Sequence, residues 1–416
     1  MAYTHDALVI GAGAAGLTAA GGCALFGLKV ALVEQAEMGG ECLITGCVPS
    51  KALIAAAARV AHQGERLGVS LGAARIDWTQ VQAHITESIA RIEHHDSQER
   101  FESMGCEVFR ETASFVSRDS VRVGERILRA PRIVIATGSR PAIPPIEGIG
   151  SVPCLTNENL FQISELPEHL AIIGAGAVGM EMAQAFRRLG SEVTVIAPAR
   201  PLERDDAEAA ALVKAALEAE GVRFVTGEVI RCKGTATDLQ LTCNGGEMIP
   251  CSHVLIAVGR RANIDSLDLA KAGVTTGAAG IVVDDRRRTS NKRIHAIGDC
   301  RAGPRFTHVS GYEGSNVALE IALGIPTKAD FSALPRCTFT SPELAQVGLT
   351  EAEARAKYGG RVRVIRQDLA DNDRAVCEGA SRGFLKLVLK GRKVLGVTAV
   401  GDHAGELLLP WSQVIL

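Results

Sequence analysis

Aromatic residues are scarce in this 416-residue chain: 11 Phe, 3 Tyr and 2 Trp make up 4%. So few rings leave little with which to stack nucleobases. Neither sign of charge is in excess, with 45 Lys and Arg against 47 Asp and Glu and a net of -2. Without a basic excess there is no electrostatic footprint for nucleic acid or for an anionic membrane surface. No apolar run reads as long enough to span a bilayer. The N-terminus lacks a basic region, apolar core and small-residue cleavage site in that order. Ala7 to Ile10 run straight into glycines instead, so no signal peptide is expected. The 11 cysteines, odd in number and irregular in spacing, do not resemble a secreted disulfide framework, and a cytoplasmic location is expected.

What is present is 47% hydrophobic and 22% charged residues, enough to build the cores of two or three domains. Asp6 to Ile10 reads as a short buried strand feeding Gly11-Ala-Gly13-Ala14-Ala15-Gly16, then a helix to about Leu25 stopped by Gly27, then a strand Lys29 to Val33 ending at Glu34. Strand, G-x-G-x-x-G, helix, strand and an acid roughly 20 residues on is the full dinucleotide context. The glycines permit a tight turn and close approach to a pyrophosphate, and the helix N-terminus supplies N–H groups and partial positive charge. Glu34 is placed to accept from a ribose hydroxyl pair.

The pattern repeats. Leu170 to Ile173 is followed by Gly174-Ala-Gly176-Ala177-Val178-Gly179, a helix through Leu189, and a strand Glu192 to Ile196. Gly11 to Glu34 and Gly174 to Ala197 are both 23 positions apart. Two such units imply two dinucleotides, a hydride donor and an acceptor that passes electrons on, which points to nicotinamide plus flavin. Ala197 stands where the first unit has Glu34. With no carboxylate to repel a 2′-phosphate and with Arg200 and Arg204 close by, the second unit favours NADPH over NADH.

Between these units lies Gly39-Gly40-Glu41-Cys42-Leu-Ile-Thr-Gly46-Cys47-Val-Pro49-Ser50-Lys51, leading into an alanine-rich helix. Two cysteines with four residues between them admit three readings: small buried hydrophobes, half of a metal site, or a redox pair. Thiols at a helix N-terminus favour the thiolate, and two within bonding reach can cycle between disulfide and dithiol.

This segment resembles the redox-active segment of the class I pyridine nucleotide-disulfide oxidoreductases, a family that includes dihydrolipoamide dehydrogenase, glutathione reductase and mercuric reductase. The resemblance covers nearly the whole chain. It implies an α/β fold with two Rossmann-like domains, for FAD (1–147 and 262–328) and for NAD(P) (148–261). A third, α+β dimerisation domain (329–416) is expected to be C-terminally incomplete. It implies electron flow from nicotinamide through FAD to a Cys42–Cys47 disulfide, with Cys47 the sulfur nearer the flavin, and on to a small disulfide, a dithiol or Hg2+.

By the same resemblance, Gly40, Glu41, Ala113, the Ala136-Thr137-Gly138 strand end, Gly298-Asp299 and Phe306-Thr307-His308 contact the flavin. Gly259 ends the matching strand of the second unit, and Lys51 and Glu181 form an ion pair beside the flavin. Read from charge alone, that pair is equally two surface side chains. Asp371-Asn-Asp-Arg374 looks closer to the mercuric-reductase branch.

No metal site is expected. The neighbouring His94 and His95, in a predicted long helix Ile76 to Phe101, point in different directions. From about Phe331, strands over Pro335 to Gly348 and Arg361 to Leu395 flank a helix Thr350 to Tyr358. Thr340-Ser-Pro-Glu343 and His403-Ala-Gly-Glu406 resemble the interface domain of the same family, which implies a homodimer. In the family the C-terminal segment carries a His and a Glu that serve as acid-base group for the partner's cysteines. The apolar stretch Leu407 to Leu416 reaches neither, leaving two alternatives, a fragment or a chain lacking that base. A flavin-binding diaphorase or redox-responsive dimer without disulfide turnover is the alternative function.

Overall fold

The computed structural model describes residues 2–61, 64–235 and 238–416. Its contacts divide the chain into two units. The first comprises Met1–Ser50, Ala83–Ala142 and Gly259–Ala329; the second comprises Lys51–Gln82, Ile143–Val258 and Asp330–Leu416.

The first unit is built on a five-stranded parallel sheet in the order Ile294–Ala296, Arg132–Ile135, Ala7–Ile10, Val30–Val33, Cys106–Phe109. Two of its three inner strands, Ala7–Ile10 and Val30–Val33, are buried at every position, as expected when both faces of a parallel sheet are covered. One face packs helices Ala14–Leu25 and Thr307–Leu323. These helices touch through glycine: a Cβ on Gly22 would stand 2.7 Å from that of Ala318, and one on Gly314 2.8 Å from the Ala15 carbonyl oxygen. The other face packs the antiparallel ribbon Ala113–Ser117, Ser120–Val123 and Arg126–Arg129.

The second unit contains a five-stranded parallel sheet, ordered Cys154–Leu155, His253–Ile256, His169–Ile173, Glu192–Ala197, Arg223–Thr226; its outermost strand beside His253–Ile256 comes first in the chain, whereas the matching strand of the first sheet comes last. It also contains an antiparallel five-stranded sheet, ordered Pro335–Thr338, Glu343–Gly348, Lys393–Gly401, Phe384–Lys390, Val362–Asp368.

Two expectations are corrected. The helix predicted over Ile76 to Phe101 is two helices, Trp78–Glu93 and Gln98–Ser103, because Ser97 starts the second by accepting the Arg100 N–H through its side chain. Against the expected lack of any spanning run, Gly40–Val60 has the length and composition of a membrane span. It is not one helix. It breaks at Thr45–Gly46 into Gly40–Ile44 and Cys47–Val60, where a Cβ on Gly46 would meet the Glu41 carbonyl at 2.9 Å.

Candidate active site

Both glycine turns are tight for the same reason. Gly11 has φ +104°, and a Cβ there would lie 2.4 Å from the Ala136 carbonyl oxygen; on Gly16 it would lie 1.8 Å from that of Gly11. In the second unit Gly174 has φ +112°, with 2.5 Å to the Ala257 oxygen, and Gly179 2.0 Å to the Gly174 oxygen. Only glycine allows strand, turn and helix to approach this closely. The two following helices begin after Gly13 and Gly176 with no side chain capping them. Their first N–H groups, including those at Ala15, Ala177 and Val178, therefore have no side-chain partner and can meet an anion.

Around the first turn the expected residues converge. Gly11, Glu34, Glu111, Ala113, Thr137 and Asn263 line a cavity of about 70 Å³. The Glu34 carboxylate accepts the N–H groups of Ala12 at 2.6 Å and Ala36 at 2.8 Å. Thr137 and Asn263 close the rim, Thr137 Oγ1 donating to the Asn263 carbonyl at 2.6 Å. Gly138, with φ +69°, follows. These features fit FAD: an uncapped helix end for its pyrophosphate, a glycine corner that a Cβ would fill, and a carboxylate beside the cavity.

The cysteine segment is seated on this turn. Gly39 N–H donates to the Ala12 carbonyl at 3.0 Å, and a Cβ on Gly40 would stand 2.7 Å from the Gly13 Cα. Glu41 pairs with Arg260, whose Nε donates to Ser139 Oγ at 2.7 Å; Ser139 Oγ in turn donates to Asp299 at 2.8 Å. Sequence reasoning gave no role to Ser139 or Arg260. Their signal was position, each lying just past a glycine that ends a sheet strand. Gly298 N–H, beside Asp299, is held by the fully buried Glu313 at 2.9 Å, which also binds Arg301 and Arg287. Gly259, with φ +147°, accepts the Ala142 N–H through its carbonyl at 2.9 Å.

Cys42 and Cys47 are both half-buried thiols within hydrogen-bonding reach of each other. The hydrogen bond shared with Cys47 pushes the Cys42 thiol up, and burial adds to this. The Thr307 hydroxyl and the Cys47 N–H pull the other way without prevailing. Cys42 thus holds its proton more tightly than a free thiol, and Thr307 Oγ1 lies 3.1 Å from Cys47 Sγ. Flanking Thr307, the rings of Phe306 and His308 stack 5.3 Å apart.

In the second unit, Lys51 Nζ lies 2.8 Å from Glu181 Oε2, and the carboxylate is only 6% exposed. A carboxylate so buried is not one of two ordinary surface charges. Arg200 is exposed, but its guanidinium is already engaged. It donates to the carbonyls of Pro201, Leu202, Glu203 and Asp205, bracing the loop beyond the strand Glu192–Ala197. Arg204 is exposed. Among the described residues no group of three His, Cys, Asp or Glu is arranged to hold a metal ion.

The family models place this geometry. Residues 5–314 match pyridine nucleotide-disulphide oxidoreductase, and residues 334–415 match the dimerisation domain of the same enzymes. The chain belongs to the pyridine nucleotide-disulphide oxidoreductase family. It is 34% identical to a mercuric reductase of Lysinibacillus sphaericus over 99% of this chain and 77% of that protein. To a dihydrolipoyl dehydrogenase of Bacillus subtilis it is 31% identical, over 98% of this chain and 91% of that one. In structure it is similar to the HOCl-induced flavoprotein disulfide reductase RclA from Escherichia coli, with TM-score 0.88 and 28% identity over 99% of this chain and 93% of that chain. Like other members of the family, the chain is an oxidoreductase that uses FAD and a pyridine nucleotide in disulfide chemistry.

Proposed function

We propose that this chain, as a cytoplasmic homodimer, takes electrons from NADPH and delivers them through Cys42 and Cys47 to a small thiol-reactive acceptor, a disulfide or Hg2+. The observation that carries this is the contact of the two sulfurs with each other and with Thr307. The diaphorase alternative gives that arrangement no purpose. The relatives named for mercuric ion and lipoyl substrates supply the two acceptor classes.

The uncapped helix after Gly176 would hold the nicotinamide dinucleotide by its pyrophosphate, and the helix after Gly13 would hold that of FAD. Bound FAD supplies the carrier between two-electron hydride transfer and sulfur. The chain's own residues do the rest. Lys51, one helical turn after Cys47, brings a positive charge that pairs with Glu181. Thr307 donates to whichever sulfur is the thiolate.

With a disulfide acceptor, Cys42 attacks one sulfur and gives up its proton to the other, which departs as a thiol and leaves a mixed disulfide on Cys42. Cys47 then attacks Cys42 Sγ, expelling the second thiol and restoring the Cys42–Cys47 disulfide. Two electrons and two protons reach the acceptor. Hg2+ takes the same two electrons while bound by the thiolates. Ala197 leaves room for a 2′-phosphate, and with Arg200 braced on the loop its partner is Arg204.

Steady-state turnover with glutathione disulfide, lipoamide and Hg2+, each with NADPH and NADH, tests the reading. Turnover of at least one acceptor that is lost in Cys42→Ser supports it. NADPH oxidation by oxygen alone, unchanged in Cys42→Ser, contradicts it.

A further inference from the structure

Within the second unit, the ion pair Lys51–Glu181 has a third member. Glu181 Oε2 accepts from Lys51 Nζ, and Oε1 accepts the backbone N–H of Phe339 at 3.0 Å. Three residues on along the same helix, Gln184 is 3% exposed. Its Oε1 accepts the Ser341 N–H at 2.7 Å, and its Nε2 donates to the Ser341 carbonyl at 2.8 Å. Residues at i and i+3 share a helix face, so Glu181 and Gln184 together tie down the backbone from Phe339 to Ser341. The segment so fixed carries the Phe339 ring to a place where the Lys51 ammonium lies 4.6 Å from its centroid.

We propose that Phe339 is a positioning residue for Lys51, its ring and the Glu181 carboxylate holding the ammonium between them one helical turn after Cys47. Two observations speak against simple packing. Phe339 is 39% exposed, so the ring is not there to fill a core. The Lys51 side chain is 42% exposed, so a long flexible stem with a single carboxylate partner would be free to swing. The face of an aromatic ring attracts a cation without offering a site for its proton. A second carboxylate there would add another charge to desolvate. The ring thus restricts the ammonium and leaves its charge intact. The catalytic consequence rests on the function proposed above: a charge held still on the helix that Cys47 begins favours transfer of electrons into the sulfurs.

The test uses the FAD-loaded full chain as wild type, Phe339→Leu and Phe339→Tyr. Lysines are reductively methylated with a carbon-13 label, which keeps their charge, and the Lys51 signal is assigned with Lys51→Arg. In Phe339→Leu the Lys51 signal is expected to lose its ring-current displacement. The rate at which NADPH generates the dithiol is expected to fall about three- to thirty-fold, the range spanned by a cation over an aromatic face. KM for NADPH stays unchanged, and Phe339→Tyr restores both readouts. An unmoved Lys51 signal overturns the contact. A moved signal with a rate changed less than about two-fold, below that range, overturns the positioning role. If NADPH reduces none of the proteins, the proposed function fails, while the signal still decides whether the ring holds the ammonium.

Discussion

Thr307 Oγ1 stands 3.1 Å from Cys47 Sγ, although 260 positions separate them in the chain. Thr307 is the first residue of the helix Thr307–Leu323, and Cys47 the first of Cys47–Val60. Two helix N-termini, each with partial positive charge, therefore meet at the sulfurs, and both favour a thiolate.

Removing that hydroxyl should be visible in the flavin spectrum. A hydrogen bond to a charged group contributes about 1.5–3 kcal/mol. In Thr307→Val, the pH at which the long-wavelength thiolate–flavin absorbance reaches half height should therefore rise by about one to two pH units. Thr307→Ser should behave as wild type. An unchanged midpoint in Thr307→Val would mean that the hydroxyl does not bind the thiolate.

The two arginines beyond Ala197 should separate. Arg204→Ala is expected to raise KM for NADPH about tenfold, the loss of one charge-assisted contact, and to leave NADH unaffected. Arg200→Ala should weaken both nucleotides alike, because its guanidinium braces the loop through four carbonyls. Equal effects of Arg204→Ala on the two nucleotides would remove the case for NADPH.

Much of the frame was legible in the sequence, because a glycine turn between a buried strand and a helix is a local signal. The two dinucleotide turns and the cysteine segment lie where strand and helix periodicity put them. Apart from the Lys51–Glu181 pair, which the family resemblance implied, contact between segments far apart in the chain was not legible. Nothing near Cys47 points to Thr307, and nothing near Glu181 points to Phe339. Arg200 shows a further limit: charge pattern gives a residue's sign, whereas the carbonyls of a loop not yet folded decide where its guanidinium goes. The break at Ser97 was a missed local cue, a capping residue at the start of the second helix.

Acid should unpick a buried cluster in the first unit. Burial pushes the Glu320 carboxyl up, but hydrogen bonds from His295, Arg288 and Arg286 outweigh it, and the carboxyl is held at about 2 against an ordinary 4.5. A carboxyl lowered in the folded state stabilises fully above its unfolded value and loses that contribution as pH falls through the folded one. Glu320→Gln should therefore be less stable than wild type at pH 7, and the gap should close as pH falls from 4.5 towards 2. Urea unfolding at stepped pH measures this; a gap independent of pH would contradict it.

Lys386, with its side chain 6% exposed, meets Asp206 at 3.0 Å, Glu208 at 2.9 Å and Glu351 at 3.5 Å. Asp206 also caps the helix Ala207–Ala219. Lys386→Met leaves that carboxylate buried without its cation and should cost about 3–5 kcal/mol. Adding Asp206→Asn should recover part of the loss. Additive losses in the double variant, measured by chemical denaturation, would show that the two are not coupled.

The most direct test of the account is an anaerobic titration of the FAD-loaded enzyme with NADPH, followed by its absorbance spectrum and a count of free thiols. The account predicts that two electrons produce a long-wavelength thiolate–flavin band together with two new thiols, and that Cys47→Ser abolishes the band. Passage straight to fully reduced flavin, with the thiol count unchanged, would contradict it.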